Sequence, residues 1–280
     1  MNGAVNLSQR RNGTWPMSAA QSGIWFAHQL NPNNPMYNTG EYVVIHGHVD
    51  VQQFEQSVRQ TVAEAETLNM VYGENEHGPY QTLNQEGDHW TFHILDVRGE
   101  QDPHAAAMAW MHQDLASPVN LATGPVFTEA LFQVSEGRCY WYQRVHHIAI
   151  DGYGVSLITR RVASLYTARV KGGSGESVTE TRAFGPLSSV IQEDEAYHES
   201  AAREQDRTFW LERYADEPDV VSLGEKASRT ADHFLRQRFE LAQSDRDRLQ
   251  DAAARYGVTW PDLFIAAAAI YVHRITGTRD

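Results

Sequence analysis

Val145-His146-His147-Ile148-Ala149-Ile150-Asp151-Gly152-Tyr153-Gly154 decides how the rest of this chain is read. The run before it, Arg138-Cys139-Tyr140-Trp141-Tyr142-Gln143-Arg144, is rich in aromatic and β-prone residues. After it, Val155, Ile158, Val162, Leu165 and Tyr166 recur at helical spacing. The two histidines are therefore expected at a strand's end, with Asp151-Gly152 opening the turn into a helix. Alternation along a strand sets His147 on the face of Cys139, Trp141 and Val145. His146 falls on the face of Tyr140, Tyr142 and Arg144, so one imidazole can face a cleft while its neighbour packs behind it.

Working outward, Val126 to Val134 pairs with Arg138 to Val145 through Ser135-Glu136-Gly137, a hairpin signal. Upstream, Ser18-Ala19-Ala20-Gln21 caps a helix carrying Ile24, Trp25, Phe26 and Leu30. Asn31-Pro32-Asn33-Asn34-Pro35 stops it, because proline lacks the backbone donor and restrains its neighbour. Glu41 to Gly47 reads as a strand, and Asp50 caps a helix to about Thr67. Met70 to Tyr72, Tyr80 to Leu83 and Trp90 to Ile94 read as short strands. Asp102-Pro103 opens an alanine-rich helix to about Leu115.

Lys171-Gly172-Gly173-Ser174-Gly175-Glu176 has linker composition and divides residues 1–172 from 173–280. Beyond it lie helices at about Leu187 to Tyr197 and Ala201 to Tyr214, and a strand candidate, Phe234 to Leu241. Ser244-Asp245 caps a helix to about Tyr256, and Thr259-Trp260-Pro261-Asp262 opens another. That last helix is apolar nearly all round and needs cover, with Trp260 expected in a core. The expectation is a truncated second unit, missing the strands that bury Leu263 to Val272.

Composition narrows the function classes. Among 280 residues, 36 acidic and 23 basic side chains give a formal net charge of −13. That sign argues against a nucleic-acid or anionic-membrane partner. The single cysteine, Cys139, excludes an internal disulfide framework. Met1 to Trp15 lacks the apolar core of a secretion signal, and Leu263 to Val272, about ten residues, is too short to span a bilayer. A soluble, cytoplasmic protein is expected.

The chemistry of the histidine stretch follows from its groups. An imidazole titrates near neutrality and can accept a proton or hold a nucleophile. A carboxylate four residues on can orient it or pair with a cation, glycine permits a sharp turn, and helix N–H groups can face an oxyanion. No Gly-x-Ser-x-Gly is present and Cys139 lies upstream on a strand, so no covalent nucleophile is indicated. Attack by a bound nucleophile on an activated acyl group, assisted by His147, fits. Two plainer readings compete: an ordinary strand pair of histidines in a chain with 13 of them, and a metal shared by His147 and Asp151. Adjacent strand histidines diverge and no third ligand is placed, so no metal is assigned.

Val-His-His-Ile-Ala-Ile-Asp-Gly-Tyr-Gly resembles the signature of condensation domains of non-ribosomal peptide synthetases, in the chloramphenicol acetyltransferase-like superfamily. Ser18 to Trp25 is similar to the family's first motif, and Glu66 to Tyr72 occupies the second. Tyr140 to Arg144, Phe184 to Ser200 and Phe209-Trp210 look closest to the amino-terminal domain of enterobactin- and bacillibactin-type siderophore synthetases. The resemblance implies an α+β, two-lobe fold, a mixed sheet flanked by helices, whose second lobe is incomplete here. It implies an amide-forming acyltransferase that joins a carrier-bound acyl thioester to a carrier-bound aminoacyl amine. The expected donor is an aryl acid such as 2,3-dihydroxybenzoate.

By the same resemblance the partners are an upstream aryl carrier protein and a downstream peptidyl carrier protein with its adenylation domain. The domain binds no cofactor of its own; substrates arrive on 4'-phosphopantetheine arms. His147 takes the catalytic position, with His146, Asp151 and Gly152 as motif support and Tyr153, Ser156 and Gln21 as contacts to the tunnel or arm. Asp151 takes a position that is ion-paired in the family to a second-motif arginine. Here Asn69 stands in that place and Ala65 replaces the motif's histidine, so Asp151 needs another partner, Arg144 or Arg161. An epimerisation domain on the same fold, and a non-catalytic docking module, are the alternatives.

Overall fold

The computed structural model describes residues 13–84, 90–171, 183–217, 221–224 and 239–278. Contacts divide the chain into two compact units between Ser200 and Ala201, beyond the 172/173 boundary that the linker composition suggests.

The first unit is built on a four-stranded mixed sheet of β2 (Asn38–His46), β5 (Phe92–Asp96), β6 (Phe127–Ser135) and β7 (Arg138–His146), in the order β2-β7-β6-β5. β6 and β7 form the expected hairpin, β2 pairs antiparallel with β7, and β5 runs parallel to β6. Both faces of the sheet are covered, so β7 is buried from Cys139 to His146 instead of alternating with solvent. The mixed sheet flanked by helices expected from the sequence is present.

On one face, Cys139, Trp141 and Val145 join a core with Val58 and Val62 of α2 (Val51–Glu64) and Ile158 and Val162 of α4 (Gly152–Lys171). Phe54 meets the Trp141 and Tyr166 rings edge-on at 5.3 Å and 5.4 Å. On the other face, Tyr140 and Tyr142 pack with Ala107 and Met111 of α3 (Pro103–Leu115). The division of side chains between the faces of β7 is the one that alternation predicts.

A second, antiparallel sheet has the order β1 (Thr14–Pro16), β4 (Gly78–Leu83), β3 (Met70–Asn75). Between β1 and β2 lies α1 (Ala19–Leu30), closed by a capping box in which Ser18 and Gln21 satisfy each other's backbone N–H. α2 is capped by Asp50, as expected, but ends at Glu64; a 3-10 turn, Glu66–Asn69, follows. Helix α5 (Leu187–His198) contributes Leu187 and Ile191 to the first core. Asp194 ties it to α1, its Oδ2 accepting the Ala19 N–H at 3.2 Å.

The second unit contains α6 (Ala201–Arg213), α7 (Gln243–Tyr256) and α8 (Trp260–Thr276). The cap expected at Ser244-Asp245 is displaced: α7 starts at Gln243 with Ala242 before it and no side-chain cap bond. α8 opens at Thr259 as expected, with the Thr259 N–H and hydroxyl both donating to Asp262 Oδ2 at 2.8 Å and 2.6 Å. Trp260 corrects its assignment to a core, being 54% exposed, because no residue of α8 is buried among the described residues. The linker 172–176 and most of the strand candidate Phe234 to Leu241 lie outside the described residues; Phe239 to Leu241 form no strand. Among the described residues no helix is long and apolar enough to cross a membrane.

Candidate active site

The strand β7 ends at His146, and the chain turns through His147, Ile148 and Ala149 before α4 begins. Its end is anchored by backbone bonds: His147 N–H donates to the Tyr37 carbonyl and His146 N–H to that of Val126, both at 2.8 Å. His146 is buried, and its Nδ1 accepts the Ile148 N–H at 3.3 Å. It meets the buried His28 ring edge-on at 5.2 Å. Burial, with the nearby His28, Arg144 and His147, lowers the His146 pKa to about 3, so its ring is neutral and structural.

His147 is the exposed residue of this turn. Its Nδ1 lies 2.9 Å from the Ile150 carbonyl oxygen. A carbonyl only accepts, so a neutral imidazole bonded there carries its proton on Nδ1 and its lone pair on Nε2. The backbone three residues downstream therefore selects the tautomer, a task often left to a carboxylate.

His147 lines a cavity of about 450 Å³, with Gln21, Glu66, Asp151 and Phe184 among the other walls. Of the residues singled out in the sequence, Gln21, His147 and Asp151 meet there. Tyr153 and Ser156 are exposed and are not among its lining residues. The Ser156 hydroxyl donates to the Gly152 carbonyl at 3.1 Å. Cys139 is buried on β7, where burial raises its thiol pKa. Among the described residues, no group of three or more His, Cys, Asp or Glu is placed to hold a metal ion.

Asp151 departs from its expected pairing. Its Oδ1 accepts the Gly154 N–H at 2.8 Å, closing the first turn of α4. Both candidate cations are held elsewhere: Arg144 Nε lies 2.7 Å from Asp114, and Arg161 lies 2.7 Å from Glu64. Asn69 donates its amide to the Val62 and Ala65 carbonyls at 2.7 Å and 3.0 Å, finishing the end of α2. A carboxylate that caps a helix needs no cation.

The glycine requirement also moves. A Cβ at Gly152 would stand in open space, whereas one at Gly154 would lie 2.4 Å from Ile150 Cγ1. At Gly154 a side chain would force Ile150 to move. The sequence contained that residue within the motif, but spacing carries no signal of the close approach. Gln81, on β4 and far upstream, bonds to the cavity residue Gln21 and likewise carries no signal in the spacing.

A strand ending in His-His, a capped helix behind it and a mixed sheet beneath place one imidazole at the wall of a cavity. The chain belongs to the condensation-domain family, whose model matches residues 11–280; its members are acyltransferases that form amide bonds in non-ribosomal peptide synthesis. It is 48% identical over 266 residues to a dimodular nonribosomal peptide synthase of Bacillus subtilis (strain 168), covering 95% of this chain and 11% of that protein. It is 41% identical over 281 residues to the isonitrile lipopeptide synthase of Streptomyces coeruleorubidus, covering 100% and 18%. With enterobactin synthase component F of Escherichia coli (strain K12) it shares 33% identity over 273 residues, covering 95% and 20%. Among solved structures it is similar to the starter condensation domain of rhizomide synthetase bound to C8-CoA and Leu-SNAC. That match has a TM-score of 0.86 and 35% identity over 100% of this chain and 62% of that one. The chain thus spans a fifth or less of these curated relatives and about three fifths of the solved domain.

Proposed function

We propose that this chain catalyses amide-bond formation between a carrier-bound acyl thioester and a carrier-bound aminoacyl amine. The observation that carries the reading is the His147–Ile150 hydrogen bond at the cavity wall, which leaves Nε2 as the acceptor. The acceptor amine attacks the thioester carbonyl as His147 Nε2 takes its proton. The C–N bond forms, the C–S bond breaks, and the departing thiolate recovers the proton from the imidazolium. His146 and Asp151 hold the turn that presents the ring.

The donor we assign is an aryl acid such as 2,3-dihydroxybenzoate, delivered on the 4'-phosphopantetheine arm of an aryl carrier protein. The acceptor comes from a peptidyl carrier loaded by an adenylation domain. Similarity to enterobactin synthase component F, and to a vanchrobactin synthetase of Vibrio anguillarum at 31% identity, supports the aryl donor. Similarity to the lipopeptide synthase and to a domain bound to C8-CoA supports a fatty acyl donor instead.

The test is thioester aminolysis by the full-length protein. One arm supplies a 2,3-dihydroxybenzoyl-loaded aryl carrier, the other octanoyl-CoA, each against a panel of aminoacyl-loaded carriers. The aryl arm is expected to give amide, and His147→Ala to lower its rate by about 10²–10⁴-fold. Amide from the octanoyl arm alone overturns the donor; unchanged turnover in His147→Ala overturns the role of the imidazole.

A further inference from the structure

From the hydrogen bonds linking the small sheet to the histidine turn, we infer that Gln81 is a positioning residue for His147, acting through Gln21. This rests on the reading of His147 given above.

Gln81 lies on β4, the central strand of the small sheet, and is fully buried. Gln21 sits in the first turn of α1 and lines the cavity. The two amides bond reciprocally: Gln21 Nε2 donates to Gln81 Oε1 at 3.1 Å, and Gln81 Nε2 donates to Gln21 Oε1 at 2.8 Å. Gln81 Nε2 also donates to the Pro16 carbonyl at 3.0 Å, which ties the pair to β1. The Ser18 N–H donates to Gln21 Oε1 at 3.1 Å, and Gln21 Nε2 donates to the Ile148 carbonyl at 3.2 Å.

All four bonding positions of the Gln21 amide are thus occupied, two donated and two accepted. The amide plane has one orientation, and that orientation places a donor on the residue following His147. Ile148 is held from both ends, its N–H by His146 and its carbonyl by Gln21. The turn between His147 and Ile150 has little freedom left, and that turn sets the 2.9 Å distance that keeps the proton on Nδ1. Removing the Gln81 amide orphans one Gln21 donor and one share of its acceptor, so Gln21 can rotate away from Ile148.

The experiment reads the tautomer directly. In the wild-type chain, nitrogen NMR of the histidine rings is expected to report His147 with its proton on Nδ1. In Gln81→Met, which keeps the side-chain length, the expected spectrum shows loss of that preference, with Nε2–H gaining at least half the population. Turnover of a 2,3-dihydroxybenzoyl or octanoyl thioester by the full-length variant, whichever the wild type uses, is expected to fall about tenfold in kcat with KM within twofold. A merely structural role predicts a lower melting temperature with tautomer and kcat unchanged, and that result overturns the inference. Gln81→Leu replaces Gln81→Met if the latter does not fold, since it likewise removes both the donor and the acceptor. His147→Ala separates the two claims. Full activity in that variant sinks the imidazole's role, while lost activity there beside unaffected Gln81 variants sinks the clasp alone.

Discussion

Asp151 Oδ1 accepts the backbone N–H of Gly154 at 2.8 Å, so the acidic residue of the histidine motif is the cap of the helix that follows it. The same turn places Gly154 where a Cβ would sit 2.4 Å from Ile150 Cγ1 and 3.4 Å from Asp151 Oδ1. Ile150 is also the residue whose carbonyl holds His147, so cap, close approach and imidazole share one piece of backbone.

Loss of the cap is expected to be graded. Asp151→Ala should destabilise the fold by about 1 kcal/mol, while Asp151→Asn, which also caps, should cost only a few tenths. Urea unfolding of the two variants measures the difference. Equal, large losses would mean that Asp151 is charge-paired instead.

The two motif glycines should separate in the same assay. Gly152→Ala is expected to fold like the parent, because its Cβ meets nothing. Gly154→Ala is expected to displace Ile150 and to lower activity even where stability recovers at low temperature. Thioester aminolysis beside a melting curve distinguishes the effects.

Glu64 and Arg161 form a bidentate pair between α2 and α4, with side chains 12% and 7% exposed. Burial alone would raise the Glu64 pKa; hydrogen bonds from Arg161 and Gln60, with the arginine charge, leave it below its ordinary value. Arg161→Leu, which strands the carboxylate, is expected to cost about 3–5 kcal/mol. The double change Glu64→Leu with Arg161→Leu should recover most of that loss. A double variant no more stable than Arg161→Leu would sink this account.

Stability should depend on pH through two buried groups of opposite sign. Glu129 is fully buried and bonded to Trp141 Nε1 at 2.7 Å; burial raises its pKa to about 8. Its folded form keeps a proton that the unfolded chain releases near the ordinary value of 4.5, so stability falls as pH rises from there to about 8. His146 is lowered to about 3, so the unfolded chain takes up a proton first, and stability falls as pH drops from 6.5 toward 3. Between 4.5 and 6.5 the two slopes oppose each other. Denaturant titrations should therefore find greatest stability there. Glu129→Gln should remove the alkaline decline, and His146→Asn should shrink the acid one, to which the buried His28 and the paired Glu64, both held below their ordinary values, also contribute; an unchanged alkaline limb in Glu129→Gln refutes the first assignment.

Much of this was legible along the chain, because it rests on local chemistry. Ser18 and Asp50 announce helix starts by accepting nearby N–H groups, Glu136-Gly137 turns a hairpin, and alternation along β7 divides Trp141 from Tyr142. The His-His-x-x-x-Asp-Gly spacing likewise put an imidazole at a strand's end beside a helix start. What the one-dimensional pattern could not contain is who meets whom across distance. Arg144 takes Asp114 and Arg161 takes Glu64, leaving Asp151 to its own backbone. Gln81 reaches Gln21 across sixty positions of chain. Spacing governs bonds within a turn or a hairpin; pairing between distant segments is settled only when packing brings their side chains within about 3 Å.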